Sequence, residues 1–414
     1  MSPDEVKSLG VLGKAWRVLP FLLTMLLVLP GRTSGVGGVG SGGKGGLDEW
    51  GDLAEALDGG RTAILAYAMA EDRPWLFLVS ASTRGRLPVV RVIPLATTRR
   101  ELAPRIAEFQ RLVAERRPEY EAEARRLYDL LVRPAVAELR GPGTLCIVPD
   151  GILWEVPFQA LLSPAGRHLL EDYAIYYAPS LTTLREIARR APSRRDPPSL
   201  LALGNPSPSG GLLARLRETR RGERFAPLPE AELEVRLIAG LYGADRSRML
   251  LREEASERAF KTLARGRQTL HFATHGVLDN RQPLYSYLLL ADPQEQPDED
   301  GVLEAREIMQ LRLDADLVVL SACETARGKV GAGEGVVGMT WAFLMAGCRT
   351  VVVSQWKVDS TRTAELMVQF FQFLKEAPRT RAEALRLAAL RLIRDSGARH
   401  PYYWAGFIVA GSDR

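Results

Sequence analysis

The stretch from residue 316 to residue 354 reads DLVVLSACETARGKVGAGEGVVGMTWAFLMAGCRTVVVS. Two short apolar runs, residues 316–321 and 350–354, have the length and the β-branched content of buried strands. Between them, residues 335–346 have the length and composition of a helix. A strand, a helix and a second strand in this order predict a parallel strand pair joined by a crossover helix.

The same alternation of strands and helices continues on both sides of this stretch. The further elements predicted in the second half are helix 230–241, strand 248–251, helix 255–264, strand 269–274, strand 285–290, helix 302–311, helices 360–374 and 380–394, and a last strand within residues 401–411. Strands that alternate with helices form mainly parallel sheets covered on both faces. The predicted fold class is therefore α/β, a three-layer sandwich with a mainly parallel central sheet.

The first half has strands and helices of its own. Residues 62–82 hold two β runs around a polar turn, which predicts a hairpin, and residues 101–140 carry apolar positions at helical spacing. The prolines and charges of residues 191–199 indicate a boundary. The predicted domains are a leader at 1–46, an N-terminal α/β subdomain at 47–190 and a second α/β subdomain at 191–414.

Composition excludes several classes of function. The chain has 414 residues with 46% hydrophobic and 25% charged residues, which is ordinary for a globular protein. Its 55 basic residues are offset by 50 acidic ones, so nucleic acid is not an expected partner. Three cysteines are too few for a disulfide framework, and no motif calls for a cofactor or a metal. Cys146 and Cys348 lie in apolar runs, whereas Cys323 follows a strand.

The N-terminal leader has its own signals. Residues 18–29 are apolar, but they are shorter than the about 20 residues that span a bilayer. This run is similar to the apolar part of a signal peptide or to a membrane-surface anchor, and the alternatives are an incidental helix or a mis-set start. Residues 35–46 have the composition of a flexible tether. A cytoplasmic location is expected, with export or weak membrane association through residues 18–29 as the alternative.

Three motifs follow the ends of predicted parallel strands. His275 and Gly276 end HFATHG, Cys323 stands in SACETA, and Trp356 and Asp359 stand in SQWKVDS. In a parallel sheet these segments converge at one edge, where ligands bind. A thiolate is the nucleophilic form of cysteine, and a histidine on the neighbouring strand can take its proton. The pattern predicts a His–Cys dyad.

Gly276 adds an expected oxyanion site. A glycine after the histidine exposes its backbone N–H, which together with the N–H of Cys323 can stabilise a tetrahedral intermediate. The alternative is that His275 merely ends a strand and Cys323 is a small buried residue. His271 precedes His275 by four residues and is interpreted as structural, because an HxxxH metal site requires a helix.

The glycines after Cys323 imitate a dinucleotide-binding motif. Gly333, Gly335 and Gly338 have the GxGxxG spacing, and Asp359 follows at a suitable distance. A Rossmann turn leaves its strand directly, whereas these glycines come a dozen residues after it, so nucleotide binding is the weakest alternative. The glycines instead predict a flexible loop that orders over bound peptide, with Glu334 facing a substrate residue.

These motifs resemble the CHAT family, whose domains are relatives of caspases and separases. The resemblance rests on HFATHG, on the run from DGVLEAREIMQ to SQWKVDS and on the ending HPYYWAGFIVAG, and it continues upstream in IVPDGILWEVPFQALL and LEDYAIYYAPSLTTL. It implies a caspase-like α/β sandwich preceded by a degenerate caspase-like subdomain. It further implies peptide-bond hydrolysis by His275 and Cys323, and it suggests Asp359 as the acid that binds a basic side chain of the substrate.

The resemblance also sets expectations about partners. Family members commonly carry tetratricopeptide repeats or another sensor upstream, whereas this sequence places only the short leader there. The expected partners are therefore a protein substrate and a separate activator or sensor protein, and the alternative explanation for the missing sensor is a truncated gene model. The alternative function is an inactive caspase-like scaffold that signals by binding.

Overall fold

The computed structural model describes ten stretches of the chain. They are residues 57–70, 73–81, 88–139, 141–190, 199–219, 225–292, 299–321, 334–356, 359–376 and 378–413. The strands are β1 (Thr62–Ala68), β2 (Trp75–Ser80), β3 (Val89–Pro94), β4 (Thr144–Val148), β5 (Ala174–Tyr177), β6 (Leu200–Pro206), β7 (Ser247–Arg252), β8 (Thr269–Ala273), β9 (Gly276–Val277), β10 (Tyr287–Leu289), β11 (Val302–Glu304), β12 (Leu317–Leu320), β13 (Thr350–Ser354) and β14 (Phe407–Gly411). The helices are α1 (Arg99–Ala114), α2 (Tyr120–Leu131), α3 (Leu169–Asp172), α4 (Leu181–Arg189), α5 (Gly210–Thr219), α6 (Pro229–Tyr242), α7 (Glu257–Leu263), α8 (Ala305–Ile308), α9 (Glu334–Met345), α10 (Ser360–Glu376) and α11 (Arg381–Arg394).

Within these residues, eleven strands form one sheet in the order β3-β2-β1-β4-β5-β14-β13-β12-β8-β6-β7. Strands β6, β7, β8, β12 and β13 run parallel to one another, and β1, β4, β5 and β14 form a second parallel block. The two blocks meet in the antiparallel pair of β13 and β14. Both predicted subdomains thus contribute to one sheet, and the domain boundaries themselves stay a prediction.

Helices cover both faces of this sheet. His271 and Phe272 are neighbours on β8, so their side chains point to opposite faces. The ring centroids of His271 and Phe371 of α10 are 5.5 Å apart, and those of Phe272 and Phe343 of α9 are 5.9 Å apart. Helices α9 and α10 therefore lie on opposite sides, and the predicted three-layer α/β fold with a mainly parallel sheet is confirmed.

The sequence explains why these elements form. The strands β1, β4 and β13 are nearly continuous apolar runs, and all their residues except Ala68 at the end of β1 are buried, as expected for a sheet covered on both faces. Helices α1 and α11 each begin with a capping box, formed by Thr98 with Glu101 and by Thr380 with Glu383. Among the described residues, no helix is both long enough and apolar enough to span a lipid bilayer.

Two sequence predictions were wrong in this region. A helix was expected at 302–311, but residues 302–304 form β11 and the helix that follows, α8, has only four residues. The strand expected at 285–290 is shorter and does not belong to the large sheet, because β10 pairs with β9 and β11 in a separate three-stranded sheet.

Candidate active site

Three neighbouring parallel strands end at the same edge of the large sheet. The register pairs Phe272 of β8 with Leu320 of β12 and Leu320 with Val353 of β13. In the sequence, His275 follows Phe272 by three residues, and Cys323 follows Leu320 by three residues. Cys323 lies outside the described residues, so the predicted contact between its thiol and the His275 ring stays a prediction.

His275 is half-buried and has a backbone partner that sequence reasoning missed. Its ring nitrogen Nε2 lies 2.7 Å from the carbonyl oxygen of Ala226, and the Phe225 ring packs edge-on against it at 5.1 Å. The contact joins residues 49 positions apart. No pattern in the sequence signals it, because the acceptor is a main-chain atom in a segment without regular structure.

Gly276 lies directly after the histidine at the start of β9. The Leu289 N–H donates to the His275 carbonyl at 2.8 Å, and Gly276 pairs with Leu288. His275 and Leu289 are therefore a hydrogen-bonded pair, and the next pair, Gly276 and Leu288, is a non-hydrogen-bonded one. In such a pair the N–H and C=O groups of both residues point away from the partner strand. The Gly276 N–H is therefore not used by β10, and the Thr274 hydroxyl donates to the Leu289 carbonyl beside it.

His271 lies in the core, as expected for a structural residue. It is fully buried, and its Nε2 is 2.9 Å from Oε1 of the buried Glu234 on α6, at ion-pair distance but without the angle of a hydrogen bond. This contact ties β8 to the helix that begins just after the Ala226 segment. Among the described residues, no three histidine, cysteine or acidic side chains cluster as a metal site would require.

Trp356 and Asp359 follow β13 at the same sheet edge. The Trp356 indole N–H donates to the Tyr402 carbonyl at 3.3 Å, and the side chain is half-buried. One carboxylate oxygen of Asp359 accepts the Arg362 N–H at 3.0 Å, and its carbonyl accepts the Thr363 N–H. Asp359 thus caps the N-terminus of α10.

Arg116 of the first half lies beside this segment and was also missed. Its guanidinium stacks over the rings of Tyr402 and Tyr403, at 4.5 Å and 5.4 Å from the ring centroids. A hydrogen bond to the Tyr402 side chain raises the pKa of Arg116, and the negative charge of Asp359 adds to that shift. The first half of the chain therefore contributes a cation next to the segment that follows β13.

The glycine-rich motif is largely helical. Helix α9 begins at Glu334, which confirms the helix predicted at 335–346, and the flexible loop predicted at Gly335 and Gly338 was wrong. A Cβ atom on Gly338 would lie 2.6 Å from the Pro283 Cβ, so this glycine permits close packing. Gly333 lies outside the described residues.

The other two cysteines are core residues. Cys146 on β4 and Cys348 before β13 are both fully buried, and burial raises the pKa of each thiol to about 12. A thiol with so high a pKa is almost entirely protonated at neutral pH and is therefore a poor nucleophile.

The chain is similar in sequence to two curated proteins. Tetratricopeptide repeat protein 28 of Homo sapiens is 27% identical over 336 residues, and that of Mus musculus is 28% identical over 335 residues. Each match covers 70% of this chain, and the chain spans only 13% of the length of these curated relatives.

Two solved structures are distantly similar to this chain. Separase in the Saccharomyces cerevisiae separase-securin complex aligns over 88% of this chain and 31% of its own, with 11% identity and a TM-score of 0.45. The Arg-specific cysteine proteinase gingipain R aligns over 74% of this chain and 67% of its own, with 10% identity and a TM-score of 0.41. The family model of the CHAT domain matches residues 121–412. Because the matched residues make up more than half of the chain, the chain belongs to the CHAT domain family.

Proposed function

We propose that this chain is a cysteine endopeptidase that cleaves a protein partner with a dyad of His275 and Cys323. The observation that carries the proposal is the contact between His275 Nε2 and the Ala226 carbonyl oxygen, at 2.7 Å. A carbonyl oxygen can only accept a hydrogen bond, so Nε2 carries a proton. In the neutral ring the lone pair is then on Nδ1, which acts as the base toward the thiol.

The register of the sheet supports the pairing of the two residues. His275 and Cys323 each follow a member of the register pair of Phe272 and Leu320 by three residues, and adjacent strands are about 4.8 Å apart. Membership of the CHAT family supports the same assignment.

The proposed reaction has two steps. His275 Nδ1 takes the proton of Cys323 Sγ, the sulfur forms a bond to the carbonyl carbon of the substrate peptide, and the N–H groups of Gly276 and Cys323 bind the resulting oxyanion. The imidazolium then gives its proton to the leaving amine as the C–N bond breaks. Water, with its proton accepted by the same ring, hydrolyses the thioester and restores the thiol.

Substrate contacts from Trp356, Asp359 and Glu334 are part of the proposal. Trp356 is half-buried at the edge where β8, β12 and β13 end, and Asp359 follows it by three residues. One oxygen of the Asp359 carboxylate caps α10, and the other oxygen is proposed to bind a basic side chain of the substrate. Glu334, at the start of α9, is assigned to another substrate position.

A separate activator protein is the expected partner, and the cytoplasm is the expected location. The relatives are named for tetratricopeptide repeats and extend far beyond the matched region. Helical repeats of this kind form extended binding surfaces. We therefore expect a binding event on another protein to switch on cleavage.

The test compares Cys323→Ala with the matched variant Cys348→Ala, which changes a buried cysteine outside the proposed dyad. Cleavage of peptide libraries and of the chain itself is followed by mass spectrometry, together with the melting temperature. Cys323→Ala should abolish cleavage and keep the melting temperature, whereas Cys348→Ala should keep cleavage. Equal cleavage by Cys323→Ala and the unchanged chain would refute the proposal.

Alkylation separates an enzyme from an inactive scaffold. An activated thiolate reacts with iodoacetamide far faster than a buried thiol, so Cys323 should be labelled selectively and His275→Ala should slow that labelling. A Cys323 thiol that stays inert with and without candidate activators would favour the scaffold.

A further inference from the structure

A buried amide of the first half reaches the segment that follows β13. Gln159 is 3% exposed. Its Nε2 donates to the Ala405 carbonyl at 2.6 Å and faces Gln355 Oε1 at 3.4 Å, and its Oε1 accepts the Tyr177 hydroxyl at 2.7 Å. Ala405 and Gln355 are 246 and 196 residues from Gln159 in the sequence, so tertiary structure alone brings them to it.

Gln355 holds the other end of this network. It directly follows β13 and directly precedes Trp356. Its Nε2 donates to the Trp154 carbonyl at 2.9 Å, and its backbone N–H donates to the Gly406 carbonyl at 2.7 Å. The chain leaving β13 is therefore bonded on one side to residues 154–159 of the first half and on the other side to the loop before β14.

Hydrogen bonds hold the Gln159 side chain in one orientation. The Tyr177 hydroxyl that donates to Gln159 also accepts the Phe158 N–H at 3.0 Å, which fixes the orientation of the Gln159 amide. Each buried donor and acceptor in such a network costs free energy when its partner is removed. A change at Gln159 should therefore be transmitted to Gln355 and the residue after it.

We infer that Gln159, in the first half of the chain, and Gln355, which directly precedes Trp356, are positioning residues. Together they fix the substrate-binding segment at Trp356. The inference rests on the proposed peptidase function and deepens it. Neither glutamine is assigned a contact with the reacting atoms. Each sets where the Trp356 side chain lies, so the half of the chain without the dyad determines how substrate binds.

The test uses Gln159→Leu, with Tyr67→Phe as the matched control. Tyr67 is also buried in the first half, and its hydroxyl donates to the Leu131 carbonyl at 2.9 Å, away from the segment after β13. Both variants thus lose buried hydrogen bonds of the first half, but only Gln159→Leu disturbs the network. Tyr177→Phe, which removes a single hydroxyl from it, serves where Gln159→Leu does not fold.

Hydrogen exchange reports positioning without any substrate. The Gln355 N–H, which donates to Gly406, should exchange about tenfold faster in Gln159→Leu and should be unchanged in Tyr67→Phe, since tenfold corresponds to about 1.4 kcal/mol, the scale of one buried hydrogen bond. Tyr177→Phe should give a smaller increase in the same direction. Equal exchange rates in Gln159→Leu and Tyr67→Phe would overturn the inference.

Kinetics with a fluorogenic peptide library then separate positioning from chemistry. Gln159→Leu should raise KM about tenfold, with kcat and the iodoacetamide rate of Cys323 nearly unchanged, because the dyad is not altered. An equal KM in Gln159→Leu and Tyr67→Phe would also overturn the inference. An unchanged chain that cleaves no peptide and has an inert Cys323 would refute the peptidase function, while exchange at Gln355 would still decide the positioning role.

Discussion

Asp413 is a buried carboxylate that the proposed reaction does not use. It follows β14 and is 7% exposed, and its Oδ1 accepts the Ala382 N–H of α11 at 2.6 Å. Burial raises the pKa of Asp413 to about 7, although Ala382, Thr380 and Arg381 act in the opposite direction. The folded protein therefore holds a proton there that the unfolded chain releases near pH 4.

The resulting pH dependence has a definite sign. Between the ordinary pKa of 3.8 and about 7, the folded state binds more protons at Asp413 than the unfolded state, so stability is lost as the pH rises through this window. Asp413→Asn keeps an oxygen acceptor for Ala382 but cannot ionise. Relative to the unsubstituted protein, its free energy of unfolding should rise between pH 5 and pH 8 by on the order of a few kcal/mol, and its melting temperature should rise with it.

Calorimetry at both pH values measures this change. The exposed Asp129→Asn on α2 is the control and should leave the pH profile unchanged, because a surface ion pair such as that of Asp129 with Arg133 contributes little. Parallel profiles for Asp413→Asn and the unchanged chain would contradict the assignment.

At the same scale, the sequence predicted some site residues and missed others for a physical reason. His275 and Trp356 follow apolar runs whose strand character is strong, so their position at strand ends was predictable. The partners Ala226, Arg116 and Gln159 were missed because they act through main-chain atoms or come from distant segments, and no local pattern encodes such contacts. The position of Cys323 relative to His275 stays a prediction.

At the scale of elements, α9 depends on one close approach. Gly338 faces Pro283, and a Cβ atom there would also lie 2.8 Å from the Pro283 carbonyl oxygen. No real side chain tolerates such contacts, so either the helix or the Pro283 segment would have to shift. The glycine is therefore explained by helix packing, without a nucleotide.

Two glycine-to-alanine changes test this reading. Gly338→Ala should destabilise the fold by about 1–3 kcal/mol, because overpacking forces backbone shifts. Gly240→Ala on α6 meets nothing within 4 Å and should stabilise it by about 0.5–1 kcal/mol, because alanine loses less entropy in a helix. Urea denaturation measures both changes, and a neutral Gly338→Ala would exclude the packing explanation.

The elements that the sequence mispredicted belong to the small sheet. Residues 302–311 carry apolar positions that fit a helix, yet residues 302–304 pair with β10. The long apolar strands of the large sheet were predicted because burial on both faces leaves a continuous hydrophobic run. Strands of two or three residues leave no such run, and only their pairing partners determine them.

At the scale of the whole molecule, the described residues share one main core. Leu65 of β1 and Val352 of β13, from the two halves, belong to the same cluster of buried side chains. The last strand, β14, bonds to β13 on one side and to β5 on the other. The two halves are thus joined through β14, the last described strand of the second half.

We therefore expect one cooperative unfolding transition. A shared core makes separate melting of the halves unfavourable, because either half alone would expose the buried side of its sheet. Calorimetry and circular dichroism should give a single midpoint, with equal van't Hoff and calorimetric enthalpies. Two resolved transitions, each assigned to one half by limited proteolysis, would contradict this expectation.

The place of β14 has a consequence for how the protein is made. Ribosomes synthesise β14 after the thirteen other described strands, yet it occupies an inner position of the large sheet. Until residues 407–411 emerge, β5 and β13 each present an open edge to the cell. A nascent chain therefore cannot complete its large sheet before residues 407–411 have been translated.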